Sequence, residues 1–220
     1  MKTISLALFA EGPTDYRFLP IIIQRTVERI LVANRCPDIG VLEPTPIPKV
    51  NGSTDMEKIF QAAKAAHGAH ILFVHLDADS RTIEKAREER FNPGLTRIME
   101  SDEKLCKDLV PIIPVKNLEA WLICDYAAFC RSVGIRASVE ELGLPSLPRL
   151  VESLPDPKHT YREALRKAHL SRSRRSRYDP GEYYGLLAQN IDLDILLQVP
   201  SFSIFFEELT KTLRKLRLID

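Results

Sequence analysis

Two short and nearly unbroken apolar runs, Ile4 to Phe9 and Ile71 to Leu76, constrain this chain most. Neither alternates apolar with polar residues, as a strand with one face in water would. Each reads as a strand of a parallel sheet buried on both faces. A helix from about Thr14 to Asn34 follows the first, with Pro13 at its start and a kink or break expected near Pro20. Val41 to Ile47 reads as a weaker strand. Thr54-Asp55-Met56-Glu57 forms a capping box that opens a helix to about His67, ended by Gly68. After the Ile71 run a charged helix is expected to about Arg90, and further helix from Gly94 or Leu95 to Lys107. Leu109 to Val115 reads as a fourth strand, placed near an edge by Pro111 and Pro114, and Leu118 to Arg131 as helix. This alternation predicts an α/β fold: a mostly parallel four-stranded, Rossmann-like sheet flanked by helices. From Gly134 the strand signals stop. Residues 1–133 are expected to form the α/β domain and 134–220 a helical appendage on the same body, closed by a helix from about Phe202 to Arg217.

Composition narrows the function classes. With 220 residues, 45% hydrophobic and 28% charged, the chain has material for a sizeable core. Its net charge of +1 gives no global attraction to nucleic acid, so any such affinity needs a local basic patch. Cys36, Cys106, Cys124 and Cys130 form no CxxC pair and have no His at zinc-ligand spacing. They read as reduced, mostly buried thiols of a cytoplasmic protein. No stretch approaches the roughly 18 apolar residues of a membrane span, and the N-terminal run reads as a strand rather than a signal peptide.

The acidic residues carry the chemistry. In doubly wound sheets ligands bind at the carboxyl ends of the strands, where the strand order reverses. Glu11 ends the first strand, and Asp77-Ala78-Asp79 end the third. Three carboxylates at one edge repel each other unless a cation neutralises them, and oxygen-only ligation suits Mg2+ or Mn2+ rather than zinc. The structural alternatives are a turn role for Glu11 and helix capping by Asp77 and Asp79.

Glu11-Gly12-Pro13-Thr14-Asp15 followed by Asp77-Ala78-Asp79 resembles the Toprim signature, a Glu after the first strand and a DxD after the third. The finer pattern resembles a family of small Toprim-like proteins designated DUF4276. It adds a segment like Val115-Lys116-Asn117-Leu118-Glu119-Ala120-Trp121-Leu122, then one like Ile191-Asp192-Leu193 with Ser201-Phe202, so it covers nearly the whole chain. The resemblance implies a metal-dependent, nucleic-acid-directed role, related to the nucleases of the OLD family and associated with genome or phage defence beside an ATPase partner.

Further residues gather around this centre. Asp15 is either a further metal ligand or a partner of the helix dipole. Glu119 is either a metal or water ligand or a salt-bridge partner of Arg81 or Lys116. Lys116 is placed to stabilise a phosphoryl transition state or is a solvated loop lysine. Arg81 clamps phosphate or pairs with Asp77 or Asp79. His75, inside the third strand, reads as a core histidine bonded to backbone. Arg172, Arg174, Arg175 and Arg177 crowd a basic segment suited to gripping phosphates; its alternatives are a solvated loop or an acidic-partner site. The leading expectation is a Mg2+- or Mn2+-dependent phosphodiesterase, a nuclease on DNA or RNA. The alternatives are a non-catalytic nucleic-acid- or ATPase-binding subunit and a phosphoacceptor domain; against the latter, the paired acids follow the third strand rather than the first.

Overall fold

In the computed structural model, which describes residues 2–170 and 179–220, the two apolar runs lie side by side in a parallel sheet. The first run is two strands, β1 (Lys2–Ile4) and β2 (Leu6–Phe9), parted at Ser5, whose N–H turns to the His70 ring at 3.0 Å. The expected second strand is also split. β3 (Ile39–Val41) pairs with β1, and β4 (Thr45–Pro46) pairs with β2. With β5 (Ile71–His75) and β6 (Leu109–Ile112) the main sheet has the order β4-β2-β5-β6, and every pairing is parallel. The reversal of strand order therefore falls between β2 and β5, as a doubly wound sheet requires. Pro46 and Pro111, which lack an N–H, both lie on edge strands.

The helices follow in chain order: α1 (Leu19–Ala33), α2 (Asp55–Ala65), α3 (Ile83–Ala86), α4 (Asn92–Glu100), α5 (Glu119–Leu122), α6 (Tyr126–Val133), α7 (Val139–Leu142), α8 (Pro157–Leu170), α9 (Tyr183–Asn190), α10 (Leu193–Leu196) and α11 (Pro200–Lys215). Strand pleating sorts the sheet residues between two cores. Leu6, Leu8, Ile71, Phe73, Val110 and Ile112 join α1 and the helices after Leu118. Ala7, Phe9, Leu72 and Val74 face α2 and α4. The segment after Gly134 is thus part of the larger core. Trp121 stacks edge-on against Phe202 at 5.0 Å and gives its indole N–H to Ser201 Oγ at 2.7 Å, which fastens α11 to α5.

Local chemistry explains where the boundaries moved. A single turn of 3-10 helix over Asp15–Arg17 precedes α1, which starts only at Leu19, so Pro20 sits in its first turn and the expected break falls ahead of it. Thr54 caps α2 through Glu57 N–H, yet Glu57 reaches back to Ser53 rather than closing the box on Thr54. The charged helix does not stop at Arg90. It continues into α4 through a π-bulge over Arg87–Phe91, in which Asn92 N–H bonds to the Arg87 carbonyl five residues back. The bulge precedes Pro93, which can supply no N–H to an α-helical ladder. The expected extension of α4 to Lys107 fails. Ser101 turns to extended backbone, and Cys106 N–H is taken by the Ala63 carbonyl at 3.0 Å. The helix expected over Leu118 to Arg131 is cut because Asp125 leaves the helical conformation to cap α6.

Gly94 lies where α4 crosses α2. A Cβ there would stand 2.9 Å from Ile59 Cβ in the core. Gly94→Ala should therefore destabilise the fold by about 1–2 kcal/mol, because overpacking outweighs the helix-propensity gain of about 1 kcal/mol. Urea unfolding reads the sign; a more stable variant would mean the helices separate freely.

Candidate functional site

Parallel pairing of Phe9 with Val74 sends β2 and β5 out of the sheet at the same edge, which brings Glu11 and Asp77 together. Glu11 Oε2 accepts the Asp77 N–H at 3.2 Å. Past β5 the chain stays extended beside the segment after β6, with Ala78 N–H on the Pro114 carbonyl and Asp79 N–H on the Lys116 carbonyl, each at 3.0 Å. The extension ends there: Asp79 and Lys116 both have positive φ, 55° and 64°. Aspartate tolerates this region and lysine does so rarely, so the turn is a mildly strained one.

The centre of the cluster is occupied by a residue the sequence reading did not single out. The guanidinium of Arg90 bonds Glu11 Oε1, reaches Asp55 Oδ2 and the Asp77 carbonyl at 2.6 Å each, and lies 3.6 Å from Asp79 Oδ2. Its side chain is only 14% exposed. Burial by itself would lower its pKa; Asp55 and Glu11 outweigh burial and hold the charge on it more firmly than usual. Arg90 belongs to the π-bulge, and the extra residue of that bulge sets where it points. Asp55, also missed, is the first residue of α2. The signal for both was weak, since a charged helix normally offers its charges to water.

A second cation stands beside the first, and this one is buried. His75 is fully buried, with Nδ1 3.2 Å from Asp15 Oδ2 and Nε2 3.3 Å from Asp77 Oδ1. Neither contact has hydrogen-bond angles, so charge rather than directionality joins them. This corrects the reading of a core histidine bonded to backbone. Burial pulls the imidazole pKa down, but the two carboxylates prevail and raise it to about 10, so the ring is an imidazolium at neutral pH. Asp15, whose other contact is the Gly12 N–H at 2.8 Å, serves His75 rather than the dipole of a long helix.

The remaining candidates are placed around this core. Arg81 pairs with Glu89 at 2.9 Å and lies 3.6 Å from Asp79. Lys116 gives its ammonium to the Leu154 carbonyl and not to the acids. Glu119 is buried; it accepts from Tyr184 Oη at 2.9 Å and pairs with Lys158 at 3.3 Å, rather than with Arg81 or Lys116. Burial, reinforced by Glu119, pushes the Tyr184 phenol far above its ordinary pKa. Arg172, Arg174, Arg175 and Arg177 lie outside the described residues. Two recesses flank the acids. One, of about 700 Å3, includes Glu11, Asp55, Lys49 and Lys58; the other, of about 430 Å3, includes Asp79, Ser80, Lys116, Asn117 and Lys158.

The donor set is chemically suited to a hard divalent cation: it is all carboxylate oxygen, and Asp77 Oδ1 is buried without a hydrogen-bond partner. Five carboxylates, Glu11, Asp15, Asp55, Asp77 and Asp79, meet two cations, the half-buried Arg90 and the buried His75. Among the described residues, however, no group of three or more His, Cys, Asp or Glu side chains is arranged to hold a metal ion, and Arg90 is the cation at the centre. Nor is any described helix long and apolar enough to cross a membrane.

Fold and site together define an α/β protein with an acid-rich centre at the carboxyl edge of a parallel sheet. More particularly, the chain belongs to the DUF4276 family, described as a domain of unknown function, whose model matches residues 10–210. Searches of the curated proteins and of the solved structures returned no match.

The raised pKa of His75 fixes the sign of one pH effect. The stabilisation from its charge is complete below the unfolded value of 6.5 and is lost as pH rises through about 10. The melting temperature should therefore fall between pH 7 and 10, and His75→Gln should lower it at pH 7 while flattening that slope. Equal slopes in both proteins would place the titrating group elsewhere.

Proposed function

We propose that this chain is a Toprim-like, metal-dependent phosphodiesterase that cleaves nucleic acid, with Glu11, Asp77 and Asp79 holding Mg2+ or Mn2+. The observation that carries this reading is the excess of carboxylates over cations at the strand edge where parallel folds bind ligands. A metal held there would polarise the phosphate and lower the pKa of bound water. The chain's own residues supply the rest. Lysines in the two flanking recesses offer a track for a polyanion across the edge. Arg81 and Arg90, already beside Asp79, are placed to exchange a carboxylate for a phosphate oxygen. Arg172, Arg174, Arg175 and Arg177 would grip the backbone without reading its sequence.

The central position of Arg90 favours a second reading: a nucleic-acid- or ATPase-binding subunit whose acidic centre is neutralised and does no chemistry. One set of measurements separates the two. Under the first reading Mn2+ raises the melting temperature of the wild type, Asp77→Ala abolishes the rise, and Arg90→Gln enlarges it by leaving a cationic vacancy. Oligonucleotide cleavage should appear with Mn2+ and vanish in Asp77→Ala. No thermal response in any of the three proteins, together with binding but no cleavage, would establish the second reading.

The same reading separates affinity from chemistry. Replacing Arg172, Arg174, Arg175 and Arg177 with Ala should weaken binding and reduce its salt dependence by about one unit of slope per lost phosphate contact. Asp77→Ala should keep binding and lose turnover. A wild-type slope in the arginine variant would make the segment a solvated loop or a protein-docking site.

A further inference from the structure

The larger recess is built for more than one end of an acidic centre. It lies between the end of β2, the loop after β4 and the start of α2, and its volume of about 700 Å3 is that of a small-molecule site. Phe9, Val50 and Leu76 give it apolar walls. Tyr16 lines it as well, with its hydroxyl fully committed: it donates to the Ile47 carbonyl at 2.9 Å and accepts the Ala10 N–H at 3.0 Å. These two hydrogen bonds, to the residues just past β2 and β4, fix an aromatic residue in place before any ligand arrives.

Charge completes the picture. Glu11 and Asp55 line the recess, but both are held by Arg90. Lys49, exposed, and Lys58, half-buried, line it too. The lysines that make ion pairs among the described residues are Lys64, Lys85, Lys158, Lys211 and Lys215, so Lys49 and Lys58 are not spent on carboxylates. The recess thus combines apolar walls, a fixed aromatic residue and two uncommitted ammonium groups beside the acidic edge. Its complement is a ligand with a flat apolar body and an anionic end.

We propose that this cleft binds one unpaired nucleotide, with the base between the walls and Tyr16 and the phosphate on Lys49 and Lys58. A base inside a duplex has its faces covered by neighbours and its edge by its partner, so only an unstacked base enters such a cleft. The substrate class of the neighbouring centre is then single-stranded nucleic acid, or a strand opened locally. The inference rests on the phosphodiesterase reading for the choice of a nucleotide among apolar anions, and it adds a site and a strandedness.

The test is a titration of the full chain with dAMP and dTMP, and separately with inorganic phosphate and deoxyadenosine, read by calorimetry or ligand-observed NMR. Both mononucleotides should bind more tightly than phosphate or nucleoside alone. The Lys49→Ala/Lys58→Ala double variant should weaken them roughly tenfold, the scale of lost charge-assisted contacts. Val50→Trp should block binding by filling the cleft; if that variant fails to fold, the lysine variant decides. A single-stranded oligonucleotide should displace dAMP and a blunt duplex should not. Phosphate binding as tightly as dAMP, an unchanged lysine variant, or equal displacement by duplex overturns the proposal. Cleavage with Mn2+ but no mononucleotide binding sinks the cleft and leaves the phosphodiesterase; mononucleotide binding without cleavage does the reverse.

Discussion

One guanidinium holds the carboxyl edge of this sheet together. Arg90 joins Glu11 from the end of β2, Asp55 from the start of α2, and the Asp77–Asp79 turn after β5. Without a cation there, these elements would bring like charges together, at the half-buried Asp55 and Asp77 and the more exposed Glu11 and Asp79. Arg90 suits the task because its planar fork serves several acceptors at once, which a lysine cannot do. Its placement depends on the π-bulge ahead of Pro93, so a backbone irregularity in a surface helix positions the counter-charge of the site.

His75 plays the companion role one layer deeper. It closes β5 in the core and carries its charge between Asp15 and Asp77. The edge is thus a graded arrangement: buried ion pairs below, a half-neutralised cluster in the middle, and Asp79 at the top, 63% exposed.

The helices after Gly134 are a working part of the same body. Trp121, Phe202 and Phe205 form a mutually packed aromatic cluster between α5 and α11. Buried Glu119 bonds Tyr184 of α9, and buried Asp125 both caps α6 and accepts the Asp192 N–H at 3.0 Å. Each buried acid is therefore satisfied from the helical segment, which ties the loop after β6 to it and fixes that wall of the smaller recess. Glu119, a candidate ligand by sequence, acts in this structure as a tie between the two halves of the chain.

The parallel sheet was legible in the sequence, because strands buried on both faces must be apolar nearly throughout, and the runs at Leu6 and Ile71 are, with His75 the exception. So was the edge that carries Glu11 and Asp77, since the carboxyl ends of such strands follow from the strand assignment alone. The cap at Thr54, a local backbone matter, could also be read directly, whereas α2 ends at Ala65 with Ala66 as its cap, ahead of Gly68. What the sequence did not determine is which groups answer the acids. Asp55 and Arg90 are 35 residues apart, and helical periodicity predicts only that they are polar. His75 looked like a core residue because strand pattern records burial and not protonation. The chain's course at Ser5 and at Cys106 likewise follows remote partners, the His70 ring and the Ala63 carbonyl, and Asp125 adds a remote bond from Asp192 N–H to its local cap. Periodicity and capping are short-range and survive in one dimension; charge compensation and backbone hydrogen-bond competition act through space, so only the tertiary structure decided them.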